Sequence, residues 1–116
     1  MTALQVAWPG SVSRGAHVNP IVIATIAVGD DPEEVAVDSA TGQVYAANAE
    51  GDSVSVIDGA GDSVIATIPV GDLPQAVAVN STTSRVYVAN LNDSSISVID
   101  AMGNSVIDTV PVGVMP

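Results

Sequence analysis

Four carboxylates within five residues are the clearest candidates for chemistry in this 116-residue chain: Asp30, Asp31, Glu33 and Glu34, in the run Asp-Asp-Pro-Glu-Glu. Carboxylate oxygens suit Ca²⁺ and Mg²⁺, and a crowded carboxyl can acquire a raised pKa and serve as a general acid or base. The spacing does not match the Asp-rich calcium loop with its distal Glu. The run therefore indicates either a weak site for a cation or polar ligand, or a solvated acidic loop. The solvated loop is the simpler interpretation, and no cofactor is predicted, although Ca²⁺ is a candidate ligand.

Histidine and cysteine chemistry is nearly absent from the sequence. His17 is the only histidine, the chain has no cysteine, and no Gly-x-Ser-x-Gly motif is present. A zinc site built from cysteine and histidine ligands and a nucleophile elbow are therefore not expected. No catalytic residue is predicted.

A 42-residue internal repeat supplies the elements that must position these residues. Residues 23–64 align with residues 65–106 without a gap, with identity at 25 of 42 positions, and Ile107 begins a third copy. A period of this length indicates an array of similar supersecondary units, none of which buries its apolar faces alone. The repeat also separates scaffold from site, because a recurring residue is better explained by the unit than by a unique site.

The recurring residues are accordingly predicted to be structural. The asparagines and aspartates at strand ends should bond nearby backbone N–H groups, and the tyrosines should pack between units with the hydroxyl reaching a partner at the rim. Three acidic residues of the run, by contrast, are replaced in the second copy by Leu73, Gln75 and Ala76. The recurring pairs are Gly29 and Gly71, Asp30 and Asp72, Tyr45 and Tyr87, Asn48 and Asn90, and Asp58 and Asp100.

Composition excludes two classes of partner. The chain has 13 acidic and 2 basic residues and a formal net charge of −11. Nucleic-acid affinity depends on Lys and Arg that neutralise phosphates, so a nucleic-acid partner is not expected. Every apolar run is broken well short of the roughly 18 residues that a membrane helix needs, so no membrane insertion is expected. Apolar residues make up 47% of the chain and are mostly Val, Ile and Ala, a composition that favours strands.

Turn residues recur about every ten residues from Pro20 onward, which predicts an all-β chain. Apolar residues often follow one another within the strands instead of alternating with polar ones, which indicates sheets covered on both faces. Antiparallel four-stranded sheets that pack against one another and repeat about every 42 residues are the blades of a β-propeller. A lone strand over 21–28 matches the fourth strand of a unit whose first three strands are missing. Residues 1–19 form an unrepeated N-terminal arm, in which residues 1–17 are predicted to be a loop or loosely attached. The blades, within residues 20–116, cover about 32–70 (strands 34–38, 43–48, 53–58 and 63–70) and 74–112 (strands 76–80, 85–90, 95–100 and 105–112).

The strand motifs resemble a known family. Val-Tyr-Ala-Ala-Asn at 44–48 and Val-Tyr-Val-Ala-Asn at 86–90, with the following Ser-Val-Ile-Asp segments, are similar to the YVTN family of β-propeller repeats over residues 20–116. The resemblance implies a secreted, periplasmic or cell-surface protein, such as an archaeal surface-layer protein, or a propeller lactonase or lyase. It also implies a ring of about seven blades, of which this chain has two. Residues 1–8 lack a basic region, so no signal peptide is predicted.

These patterns favour a non-enzymatic structural or interaction module over an enzyme. The predicted partners are further propeller blades, supplied by self-association or by a longer parent chain, and a protein or surface polymer is a further candidate. The alternative is part of a propeller enzyme, lactonase-like or lyase-like, with its site at the mouth of the channel. Two blades cannot close a ring, so the chain is not expected to persist as a folded soluble monomer. A fragment of a longer chain is favoured over a ring of copies.

Overall fold

The computed structural model describes residues 2–7 and 21–113. In these residues the chain forms strands and no helix, which confirms the all-β prediction, and no segment is a helix that could cross a bilayer. The strands are β1 (Thr2–Ala7), β2 (Val22–Val28), β3 (Pro32–Val37), β4 (Gln43–Asn48), β5 (Ser53–Asp58), β6 (Ser63–Pro69), β7 (Pro74–Asn80), β8 (Arg85–Asn90), β9 (Ser95–Asp100) and β10 (Ser105–Pro111).

The two sequence repeats fold as two four-stranded antiparallel sheets. The order is β3-β4-β5-β6 in the first blade and β7-β8-β9-β10 in the second. Their registers are related by 42 residues, since Tyr45 pairs with Val56 and Tyr87 pairs with Val98. The predicted strand pattern is therefore confirmed, although β3 and β7 begin two residues earlier than expected, at Pro32 and Pro74.

The predicted loop over residues 1–17 is wrong for Thr2–Ala7. These residues form β1, which pairs antiparallel with β2, so the strand over 21–28 is not alone. Leu4 pairs with Ile26 in the way that Val54 pairs with Ile68, and both pairs of strands carry a register shift at the corresponding place. By register β1 is thus the third strand of a preceding blade and β2 is its fourth. We call this two-stranded sheet the half-blade.

The connecting turns repeat as closely as the strands. Most of the residues with positive φ are not glycine, and they occupy equivalent positions in the two blades. Aspartate and asparagine adopt this conformation more readily than most other residues. The equivalent pairs are Asp31 and Leu73, Gly42 and Ser84, Asp52 and Ser94, and Asp62 and Asn104.

The main apolar core lies at the junction between the two blades. The first blade contributes Tyr45, Ala47, Val54, Val56 and Ile68, and the second contributes Val77, Val86, Val88, Ile99 and Ala101. A smaller cluster of Ile26, Ala46 and Ile57 joins the half-blade to the opposite face of the first blade. The central strands β4 and β5 of the first blade are therefore covered on both faces, as predicted, whereas Val35 and Val37 of β3 stay exposed on the side of the half-blade.

Candidate functional site

The acidic run lies at the start of β3, and the structure does not gather its carboxylates around one point. Asp30, Glu33 and Glu34 are exposed, and Asp31 has a φ of 55°. The backbone carbonyl of Asp31 accepts a hydrogen bond from the Ala49 N–H at 2.8 Å. Within residues 2–7 and 21–113, no group of three or more Asp, Glu, His or Cys side chains is arranged to hold a metal ion. The bound-cation hypothesis thus receives no geometric support from the described residues.

One carboxylate of the run, Glu34, connects the two blades. Its Oε1 accepts a hydrogen bond from the Val77 N–H at 3.1 Å. Asp52 makes a second link of this kind, because its Oδ1 accepts from the Leu73 N–H at 3.0 Å. Glu34 corresponds to Ala76 in the second blade, which has no carboxylate at that position. The difference between the repeats that suggested a ligand site therefore has a structural use at the blade junction.

We expect Ca²⁺ to stabilise the chain no more than sodium chloride of equal ionic strength. The carboxylates of the acidic run are dispersed, so added salt should act by screening the repulsion of a chain with net charge −11. The measurement is the melting temperature in the two salts, with Asp31→Asn/Glu34→Gln as the comparison variant. A shift specific to Ca²⁺ that this variant abolishes would establish a cation site by linkage.

The recurring asparagines bond side chains rather than the backbone, which corrects the sequence-based expectation. Asn48 is fully buried, and its Nδ2 donates to Ser53 Oγ at 3.2 Å and to Ser55 Oγ at 2.9 Å. Asn90 makes the same two bonds with Ser95 at 3.2 Å and Ser97 at 2.8 Å. These buried bonds tie the second strand of each blade to the third, so the asparagines belong to the scaffold.

The recurring glycines pack directly against these asparagines. A Cβ added at Gly29 would lie 2.8 Å from Asn48 Cγ, and one added at Gly71 would lie 2.7 Å from Asn90 Cγ. Neither glycine has a positive φ. The glycines are therefore needed for the close approach of the chain to the amide and not for a special backbone conformation.

Two of the recurring aspartates, Asp58 and Asp100, behave as the turn pattern predicts. Asp58 Oδ1 accepts a hydrogen bond from the Ala60 N–H at 3.1 Å, and Asp100 Oδ1 accepts one from the Met102 N–H at the same distance. Each carboxylate thus bonds the backbone two residues further on, which stabilises the turn between the third and fourth strands of its blade.

The two recurring tyrosines differ in environment. Tyr45 is fully buried in the blade junction, and its hydroxyl donates to Gln43 Oε1 at 3.0 Å. Burial raises the pKa of the Tyr45 phenol, and the nearby charges of Asp38 and Asp100 raise it further. Tyr87, at the equivalent position of the second blade, is 39% exposed. The expected packing between blades therefore holds for Tyr45, whereas Tyr87 has no blade against it in the described part of the chain.

The raised pKa of Tyr45 should make the fold less stable in alkali. Below the ordinary pKa of 10.0 the phenol is protonated in both the folded and the unfolded chain, so its contribution to stability is constant. Above that pH the unfolded chain releases the proton first, and the free energy of unfolding falls as pH rises toward the folded pKa. Tyr45→Phe should flatten this fall in urea titrations between about pH 9 and about pH 11. Equal slopes for the two proteins would contradict the assignment.

No other strand of the described residues packs against the outer face of the second blade, which we define by Tyr87, Ala89, Ile96, Val110 and Val112. Val110 is 41% exposed, whereas its equivalent in the first blade, Ile68, is 4% exposed. Asp108 replaces Ala66 on this side, so one carboxylate lies among the apolar residues. The run of apolar residues in β8 predicts cover on both faces, but in the structure this run is covered on one face only.

Comparisons with known proteins identify the fold. No protein-family model matches the chain, and a search of curated protein sequences finds no match. Among solved structures, the chain is similar to Kuenenia stuttgartiensis hydrazine synthase, with TM-score 0.71 and 26% identity over 90% of this chain and 28% of the other. It is also similar to apo AztD from Citrobacter koseri, with TM-score 0.70 and 20% identity over 80% of this chain and 26% of the other.

A third similar structure is named as a propeller. It is the β-propeller domain of Cps50 (Swd1) from Myceliophteria thermophila, with TM-score 0.63 and 9% identity over 73% of this chain and 26% of the other. Together with the two four-stranded sheets, these likenesses show that the chain forms blades of a β-propeller. The chain spans between 26% and 28% of the length of these three structures. The resemblance to the YVTN family stays a prediction, because no family model supports it.

Proposed function

We propose that this chain is a non-enzymatic structural and interaction module of a β-propeller, and that the outer face of its second blade receives a further blade. The difference between the equivalent tyrosines carries the proposal. Tyr45 is fully buried beneath the second blade, whereas Tyr87, at the same position of the next unit, is 39% exposed. In an array of repeats, each unit packs against its neighbours, so an equivalent face that is buried in one unit and exposed in the next indicates an incomplete array.

The junction inside the chain indicates which surface would cover the outer face. The face laid against the first blade carries Val77, Val86, Val88 and Ile99. In a second copy of this chain that face is already occupied by its own first blade, and the corresponding face of the first blade is partly occupied by the half-blade. The further blade is therefore better supplied by another segment of a longer parent chain than by a ring of copies. Its surface must also accommodate the carboxylate of Asp108.

In isolation the chain should associate through the outer face of the second blade. We expect light scattering to report species larger than the monomer, and Tyr87→Asp/Val110→Asp to shift the population toward the monomer by placing charges in the apolar face. Met102→Asp is the matched control, because Met102 is exposed in the turn after β9 and lies outside this face. If the chain without substitutions is a monodisperse monomer whose strand amides are strongly protected from exchange in both blades, the proposal is refuted.

A second candidate, part of a propeller enzyme, is supported by the likeness to a structure named hydrazine synthase. A screen for lactone and ester hydrolysis would separate this candidate from the structural module. Turnover that Glu34→Gln abolishes and Glu33→Gln preserves would favour the enzyme. The glutamine of the Glu34→Gln variant would retain a side-chain oxygen able to accept from the Val77 N–H, so loss of activity would not simply report loss of the blade junction.

A further inference from the structure

A small apolar cavity lies between β2 of the half-blade and the first blade. Its volume is about 170 Å³. An engineered apolar cavity of about 150 Å³ accommodates benzene, so this one has room for a single aromatic ring. Its lining includes Ala24, Ile26, Val44, Ile57, Gly59 and Asp62.

The repeat shows what fills the equivalent space between the first and second blades. Adding 42 to the residue numbers of that lining gives Ala66, Ile68, Val86, Ile99, Ala101 and Asn104. The first five belong to or pack against the apolar cluster that contains the buried Tyr45. The charge of Asp100 acts on the Tyr45 phenol, and its equivalent, Asp58, begins the turn that contains Gly59 and Asp62. The cavity thus occupies the place that a tyrosine has at the neighbouring junction.

The register of the half-blade shows which strand would bring that tyrosine. Val6 of β1 is equivalent to Val56 of β5, since they pair with Ala24 and Ala66 respectively. Tyr45 of β4 pairs with Val56 across the other edge of β5. In the described residues β1 pairs with β2 alone, and its other edge receives no strand. A strand added there in the register of β4 would place its tyrosine opposite Val6.

We propose that the open edge of β1 and the adjoining cavity form a docking site for an antiparallel strand of the Val-Tyr-x-Ala-Asn type, whose tyrosine enters the cavity. The occupant is the second strand of a propeller blade in a polypeptide segment outside residues 1–116. A second copy cannot supply it without unfolding, because β4 and β8 are central strands of complete sheets. In such strand addition, backbone hydrogen bonds give affinity and a side-chain pocket gives specificity. This inference rests on the proposed role as a propeller module.

The test uses a hairpin peptide of residues 74–90, which contains the strand sequences of β7 and β8 including Tyr87. The matched peptide carries Tyr87→Ala. Titration of each peptide into the full chain should show binding about 30-fold weaker for the alanine peptide, the loss typical of an anchor residue. Hydrogen exchange should show new protection at residues 2–7. Absence of binding by the tyrosine peptide, or equal binding by both peptides, would overturn the docking site.

Substitutions in the chain locate the bound peptide. Ala24→Phe should fill the cavity and abolish the difference between the two peptides, whereas Ala27→Phe, at an exposed position of the same strand, should preserve it. If Ala24→Phe fails to fold, the peptide pair and the exchange data still decide the matter. The variant Tyr87→Asp/Val110→Asp of the full chain should still bind the peptide. If it does not, the peptide binds to the second blade and the docking site is overturned. If the chain associates through the outer face of the second blade but binds no peptide, the docking site is overturned while the proposed function remains supported.

Discussion

Replacing Tyr45 with alanine should lower the free energy of unfolding by about 3–5 kcal/mol, the range for removing a large aromatic side chain from a core. Tyr45 packs among apolar residues of both blades at their junction, and it is inaccessible to solvent. The substitution also removes the hydroxyl that donates to Gln43. Urea unfolding, followed by circular dichroism, measures the loss.

The chain contains its own control for this prediction. Tyr87→Ala removes the same side chain at the equivalent position of the second blade, where 39% of the residue is exposed and no further blade lies against it in the described part of the chain. Its effect on unfolding should be well below that of Tyr45→Ala, because less apolar surface is returned to water. At a protein concentration at which light scattering reports the monomer, comparable losses for the two variants would contradict the exposure of Tyr87 described above.

The second large effect is expected at Gly71. A Cβ at this position would lie 2.7 Å from Asn90 Cγ and 2.6 Å from Asp93 Oδ2, and Asp93 Oδ2 already accepts from the Asp72 N–H at 2.8 Å. Overpacking of this kind typically costs about 1–3 kcal/mol. Gly71→Ala should therefore destabilise the chain by about that amount in the same urea experiment.

Gly113 is the matched control for Gly71. It occupies the same place one repeat later, and a Cβ added there meets no described atom within 4 Å. Gly113→Ala should leave stability nearly unchanged, while Gly29→Ala should resemble Gly71→Ala because its added Cβ would approach Asn48. A loss at Gly113 as large as that at Gly71 would show that the cost arises from the backbone and not from contact with the asparagine.

Periodicity predicted the blades because each repeat encodes its own strands and turns. The same method missed β1 for a physical reason. Fourteen residues separate Ala7 from Val22, its partner in β2, whereas six residues separate the equivalent pair in the first blade, Ile57 and Val64. A gapless repeat of 42 residues therefore cannot align Leu4 and Val6 with Val54 and Val56. The alternation of Leu4 and Val6 was the available signal.

The uses of single side chains were harder to predict than the strands. The amide of Asn48 bonds Ser53 and Ser55, and that choice depends on the register of two strands and not on the local sequence. Glu34 differs from its equivalent in the second repeat, Ala76, yet its partner, the Val77 N–H, lies 43 residues further along the chain. A difference between repeats thus identified a residue with a distinct role, but not which role.

The two carboxylate links across the junction between the blades have a mechanical consequence. Glu34 holds the backbone amide of Val77 in the second blade, and Asp52 holds that of Leu73, the residue before β7. The residues equivalent to Glu34 and Asp52 one repeat later are Ala76 and Ser94. A blade docked on the outer face of the second blade would therefore lack both carboxylate links. Under a pulling force, the docked blade should detach from the second blade at a lower force than the force needed to separate the first blade from the second. Glu34 and Asp52, at the junction between the first and second blades, would thus decide which pair of blades separates first.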